Sequence, residues 1–220
     1  RLSISKQRKK LTMATVEFFF DYSSPWTYYA YSRIEAFCAN NDAELIWKPF
    51  LVGGVFNKVN PSVYNRRDNP IPPKDNYYKK DLADWARYLG IEKNPTAVSP
   101  LNSVKSLRGA FVAIEEDKIG PYSGACFKAY WTDGRDISQE SELKDIAESV
   151  GMDGDAFIER IGMDDIKKKL FVNTDEIIER GGFGSPIFFV NGDDMYFGND
   201  RFELMRFALT GKKTAQVLSG

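Results

Sequence analysis

The chain has no histidine among its 220 residues. That absence excludes Ser-His-Asp and Cys-His catalysis and removes the usual nitrogen ligand of a zinc site. Cysteine is nearly absent as well. Cys38 and Cys126 lie far apart, and form neither a disulfide framework nor a metal-ligand set, so both are expected to be buried bystanders. No apolar run approaches the roughly 20 residues that span a bilayer, and there is no signal-peptide core. Charge is balanced, with 30 Lys and Arg against 31 Asp and Glu. No basic stripe follows any predicted helix, so neither nucleic acid nor a membrane is an expected partner. Catalysis, if there is any, must come from a hydroxyl, a carboxylate, a lysine or a bound small molecule.

One segment departs from the charge balance. Residues 1–12, RLSISKQRKKLT, carry five basic residues and no acid, and Met13 follows directly. They read as a leader or added residues ahead of a natural start at Met13. A basic presequence is the other reading, for which the stretch is short.

What is present centres on Glu17 to Tyr31, EFFFDYSSPWTYYAY. Val16 and the aromatic run Glu17–Phe20 suit a buried strand. Asp21, Tyr22 and Ser23 break it. Ser24-Pro25 then opens a helix to about Ala39, with Ser as N-cap and Pro at the first helical position. A strand, a tight turn and a helix N-terminus leave unbonded N–H groups and a positive dipole end facing outward. A serine hydroxyl there can donate to an anion or a thiolate. Ordinary capping explains the same serine, and this stretch alone does not decide between the two.

Glu44–Pro49 reads as a second strand, and the helix between the two implies a right-handed βαβ unit with a parallel pair. Residues 50–75 lose periodicity and hold two adjacent glycines and four prolines, so they read as a long ordered loop beside the site. Helical stripes follow over Asp75–Leu89, Ser103–Lys118, Tyr122–Thr132, Ser138–Val150, Asp153–Ile161 and Met163–Arg180. Ser138 and Glu142 suggest a capping box. Pro186–Val190, Asn191-Gly192 and Met195–Gly198 read as a hairpin, and Asp200–Leu209 as a closing helix. The order is β-α-β, a helical block, then α-β-β-α. That is an α/β thioredoxin-like domain with an inserted all-helical domain. The expected boundaries are 13–56 and 165–212 for the first and 57–164 for the insertion.

With these elements placed, FDYSSPWTYYAY resembles the active-site turn of 2-hydroxychromene-2-carboxylate isomerases and kappa-class glutathione transferases. Both belong to the thioredoxin-like group that includes the periplasmic disulfide oxidants. WKPFLVGGVFNKVNP, PLNSVKSLRGA, YWTDGRDIS and GGFGSPIFFVNGD with FGNDR extend the resemblance from Val16 to about Leu209, and YWTDGRDIS and PLNS look more like the isomerase branch. Ser24-Pro25-Trp26-Thr27 stands where redox relatives carry Cys-x-x-Cys, so dithiol exchange is lost.

The resemblance implies glutathione as cofactor, with Ser24 facing its sulfur. It implies tripeptide or substrate contacts from Asn60 and Lys74, and a strand-like backbone contact to the cysteinyl part from Ser185, before a cis Pro186. It implies that Asp200 and Arg201 hold the γ-glutamyl end. Trp26 and Trp131 are the tryptophans placed near an aromatic substrate. Each position has an ordinary reading as cap, core or solvated charge; their coincidence in one pattern favours the site. The implied activity is cis–trans isomerisation of an unsaturated aromatic pyruvate derivative by reversible thiolate addition, in a cytoplasmic homodimer. A kappa-like transferase and a redox-inactive thiol- or peptide-binding module are the alternatives.

Overall fold

The computed structural model describes residues 13–96 and 98–211. The leader at 1–12 and the expected domain end at 212 lie outside the described residues. Among those described, no helix is long and apolar enough to cross a membrane.

The sheet has four strands: β1 (Ala14–Phe20), β2 (Ala43–Pro49), β3 (Ile187–Val190) and β4 (Asp194–Phe197). Their order is β2-β1-β3-β4. β1 runs parallel to β2 and antiparallel to β3, and β3 and β4 form the hairpin. Asn191 and Gly192 both take positive φ in its loop, the conformation Asn-Gly supplies most readily. α1 (Pro25–Asn40) makes the parallel crossover, and α10 (Phe202–Thr210) closes the fold. Among the described residues, every regular element between β2 and β3 is a helix. The architecture is a thioredoxin-like α/β core carrying an inserted all-helical subdomain.

Strand periodicity divides the core. Val16, Phe18 and Phe20 point to one face and join Ile34 and Cys38 of α1, Met205 of α10 and most of the insertion's apolar residues in one cluster. Phe19 points to the other face and packs with Phe50, Val55, Ile177, Ile187 and Phe189. Cys38 and Cys126 are buried in the first cluster, and burial pushes both thiols up to about 12, so they stay protonated and inert.

The long loop expected over 50–75 is not a loop. It contains α2 (Val52–Val59), α3 (Ser62–Asp68) and the start of α4 (Pro72–Leu89). Gly53 and Gly54 lower the intrinsic helix propensity of α2, but Val52 and Val55 are buried on its inner face. Pro61 precedes α3, and Pro72 and Pro73 occupy the first turn of α4, where a missing N–H costs nothing. The prolines there start helices.

Four further helices build the insertion and one returns to the sheet: α5 (Val104–Glu115), α6 (Ile119–Trp131), α7 (Glu140–Ser149), α8 (Gly154–Ile161) and α9 (Asp164–Glu179). The capping box at Ser138 does not form. Ser138 bonds the Asp136 carboxylate through both its N–H and its hydroxyl, and Gln139 stands at the α7 N-cap.

Candidate active site

The connection from β1 to α1 is four residues, Asp21 to Ser24, and it is gripped from three directions. Asp21 is 1% exposed. One carboxylate oxygen accepts from Ser23 N–H and the other from Val52 N–H, both at 2.9 Å. The second bond gives α2 the side-chain cap that Leu51 cannot provide. Burial raises the Asp21 pKa above the ordinary carboxylate value, opposed by these N–H bonds. Tyr22 is fully buried against Phe20, Tyr122 and Phe127, with its hydroxyl 2.9 Å from Ser123 Oγ of α6. Trp131 Nε1 donates to Tyr22 O at 2.9 Å. The inserted subdomain thus holds the turn directly.

Ser24 makes the third connection. It caps α1 by accepting from Thr27 N–H at 3.3 Å, so the ordinary reading of this serine holds. Its hydroxyl also donates to Ser185 O at 3.1 Å, across to the loop before β3. Capping uses a lone pair and leaves the proton free, so the two roles coexist. Thr27 and Ser185 are buried, and their hydroxyls lie 2.8 Å apart. Ser185-Pro186 is cis, as the resemblance implies. The two non-thiol positions of the Ser-x-x-Thr turn therefore both bond Ser185.

Trp26 and Ser185 each leave a backbone donor at this junction with no acceptor among the described residues. Pro25 has no N–H, and Trp26 N–H, next along the first turn of α1, is unbonded. Ser185 N–H is unbonded too, while its carbonyl takes the Ser24 proton. An anionic atom beside Ser24 would meet a hydroxyl, an N–H and the positive end of a 16-residue helix. An extended peptide beside Ser185 would meet a free donor.

The other expected site residues are placed less uniformly. Asn60 is the C-cap of α2, and its amide donates to Phe183 O at 3.1 Å, which ties α2 to the Ser185 loop. Lys74 is exposed in the first turn of α4 and lines an open recess with Asn65, Asn69 and Ile71. No described contact joins that recess to Ser24. Asp200 and Arg201 are exposed and bond each other at 2.9 Å. Asp200 is not the N-cap of α10. Arg201 is, without a side-chain cap, because Asp200 sits one residue too early and its carboxylate turns to Arg201. Trp26 packs edge-on against Tyr29 and Tyr78, between α1 and α4. Trp131 is half-buried, with Lys93 Nζ 5.0 Å from its ring centre.

Sequence reading missed Asp21, Thr27, Arg33 and Asn199. Asp21 read only as a strand breaker, although an acid ending a Phe run just ahead of Ser-Pro is a local signal. Arg33 had none. Its Nη2 donates to both Asn199 O and Asn199 Oδ1, and its guanidinium lies 4.3 Å over Phe202 and 5.1 Å over Trp85. Nine residues along α1 from Ser24, or about 13 Å of helix, Arg33 fixes the turn that carries Asp200.

Comparison with known proteins agrees with this geometry. The model of the DSBA-like thioredoxin domain matches residues 15–210. The chain belongs to that family. Within the family it is closely related to the group of 2-hydroxychromene-2-carboxylate isomerases and kappa-class glutathione transferases. It is 30% identical over 201 residues to the 2-hydroxychromene-2-carboxylate isomerase of Pseudomonas sp. strain C18, covering 89% of this chain and 90% of that one. It is 26% identical to glutathione S-transferase kappa 2 of Caenorhabditis elegans, covering 84% and 87%. A solved structure of a 2-hydroxychromene-2-carboxylate isomerase superposes with a TM-score of 0.74 at 27% identity, covering 89% and 94%. An enzyme of the isomerase and transferase branch of the thioredoxin-like proteins is the coarse assignment these relations support.

Proposed function

We propose that the protein is a glutathione-dependent cis–trans isomerase acting on unsaturated aromatic pyruvate derivatives, of the 2-hydroxychromene-2-carboxylate isomerase type. The observation that carries this reading is the pairing at the α1 N-terminus of a Ser24 hydroxyl with an unbonded Trp26 N–H, in a turn that keeps no thiol. Such a site cannot exchange disulfides, yet suits a thiolate brought in by another molecule. Glutathione would supply that thiolate, which adds to the unsaturated substrate, permits rotation about the former double bond and leaves unchanged.

The chain's own groups take the following parts. Ser24 turns its proton from Ser185 O to the sulfur, and Trp26 N–H and the α1 dipole add to that stabilisation. Ser185 N–H bonds the cysteinyl carbonyl. Asp200 and Arg201 separate to hold the γ-glutamyl carboxylate and ammonium, on a turn that Arg33 keeps in place. Asn60 and Lys74 approach the glycyl end or the substrate carboxylate. Trp26 and Trp131 offer faces to the aromatic ring. The resemblance adds a cytoplasmic setting and a homodimer.

The deciding experiment measures conversion of 2-hydroxychromene-2-carboxylate with and without glutathione and assays the thiol afterwards. The reading requires turnover that depends on glutathione and recovers it quantitatively. A stable thioether product would instead make the chain a kappa-like transferase, a reading favoured by its relatives of that name. Binding of glutathione with no turnover on either substrate class would leave a thiol-binding module.

A further inference from the structure

A second pocket is lined by Leu51 and Val104. It sits between α2, α5 and α9 and encloses about 200 Å³. Its walls are Leu51, Gly54, Val104, Leu170, Phe171 and Ile178. The polar groups that face it are Arg108, Lys58, Thr174 and Asp175.

Three of those four are already engaged. Thr174 Oγ1 donates to Leu170 O at 2.7 Å and accepts from Leu51 N–H at 3.0 Å. Lys58 and Asp175 pair at 3.5 Å at the rim, both largely exposed, so their charges offset each other. Arg108 is different. Its Nε is the one buried side-chain nitrogen or oxygen with no hydrogen-bond partner among the described residues. No described carboxylate pairs with its guanidinium either. Buried donors in folded proteins are almost always bonded, and a charged donor left unbonded is costly. A guanidinium presents a flat fork that matches a carboxylate.

We propose that this pocket binds a small apolar monocarboxylate, with the carboxylate on Arg108 and the apolar body against Leu51, Val104, Leu170 and Phe171. A volume of about 200 Å³ suits a benzoate-sized acid. Gly54 lets α2 approach α9 closely beside the pocket, since a Cβ there would come within 3.1 Å of Thr174 Cγ2. The inference stands apart from the Ser24 site, and its test contains no glutathione.

The probe is benzoate, with uncharged benzamide as the shape control, titrated by calorimetry and by amide shifts in two-dimensional NMR. Benzoate should bind, shifting Gly54 and Thr174 amides, and benzamide should bind at least about tenfold more weakly, the scale of a lost charge-assisted hydrogen bond. Arg108→Gln should lose benzoate by a similar factor, whereas Ser24→Ala should leave its affinity unchanged. Arg108→Lys, which keeps the charge without the fork, should fall between the two. If Arg108→Gln does not fold, the benzoate and benzamide comparison on the unsubstituted chain and the lysine variant still decide. Equal binding of the two probes, equal binding by Arg108→Gln, or no benzoate binding at tens of millimolar overturns the proposal.

Discussion

Residues 21–24 and residues 199–201 are both short turns leading into a helix of the thioredoxin-like core, and the resemblance assigns both to one cofactor. They are held in different ways. In the first, both carboxylate oxygens of Asp21, the Tyr22 ring and the Ser24 hydroxyl are each committed to a different neighbour. Apart from Ser23, which lies within the turn, those neighbours come from α2, α6 and the loop before β3. In the second, only Asn199 is committed, 4% exposed and bonded twice by Arg33. Asp200 and Arg201 point outward and hold only each other, at 44–48% side-chain exposure. An ion pair so exposed contributes little and can be exchanged for a ligand's charges at small cost. The contrast fits a site whose reacting end is rigid before binding and whose recognition end forms on binding.

The sharpest way to break this comparison is at Ser24. If its hydroxyl donates to the glutathione thiolate, Ser24→Ala removes a hydrogen bond to a charged group, worth about 1.5–3 kcal/mol. The bound thiol pKa should then rise by roughly one to two units, and turnover should fall by roughly 10- to 100-fold. Thiolate absorbance in the ultraviolet, titrated on the complex, reads the first quantity directly. The Trp26 N–H and the helix dipole survive, so binding should weaken less than turnover. An unchanged thiol pKa with unchanged turnover would reduce Ser24 to a helix cap.

Thr27→Val tests the rigid end by stability. Valine matches threonine in shape but leaves the Ser185 hydroxyl without its buried partner. A buried group stripped of its bond costs about 1–3 kcal/mol. Urea unfolding should show that loss with an unchanged slope. A change within error would mean that Ser185 finds another acceptor and that the junction is looser than its hydrogen bonds suggest.

The parts of this site written in neighbouring residues were legible, and the parts written across the fold were not. Phe18–Phe20, Ser24 and Pro25 announce strand, cap and helix within a few positions, and β1 and α1 form there. Along α2 and α3, glycine and proline dominate local propensity and point to a loop. At α2 the balance is reversed by burial of Val52 and Val55 and by a cap from Asp21, 31 positions away. Arg33 and Asn199 are 166 residues apart, and nothing near either one announces the other. Arg108 lies within PLNSVKSLRGA, but a pocket made by three helices is not visible along one.

Asp21 ties the rigid end to α2, and its charge makes that tie depend on pH. Its folded pKa is raised by burial, above the unfolded value near 3.8. Between those two values the native state holds more protons than the unfolded chain, so stability contributed at this position falls as pH rises through the window. Asp21→Asn removes the titration and also turns an amide donor toward one of the two N–H groups. The expected outcome is a stability difference, native chain minus variant, that is larger near pH 4 than at neutral pH, measured by urea unfolding across the range. A difference independent of pH would mean that the N–H bonds hold the carboxyl at its ordinary value.

The smallest effect is expected at the loose end, at Lys74. Its ammonium is exposed at the start of α4, over an open recess. An exposed charge of this kind is worth about 0–1 kcal/mol and is screened by salt. Lys74→Ala should therefore weaken glutathione by no more than about fivefold at low ionic strength, with the difference fading in high salt. Turnover at saturating glutathione should be unchanged, because no described contact is made by Lys74 itself with the Ser24 turn. A loss of tenfold or more that persists in high salt would show that α3 and α4 close over the ligand and desolvate this charge. The two ends of the site would then be equally organised in the complex, and the contrast between them would belong to the free protein alone.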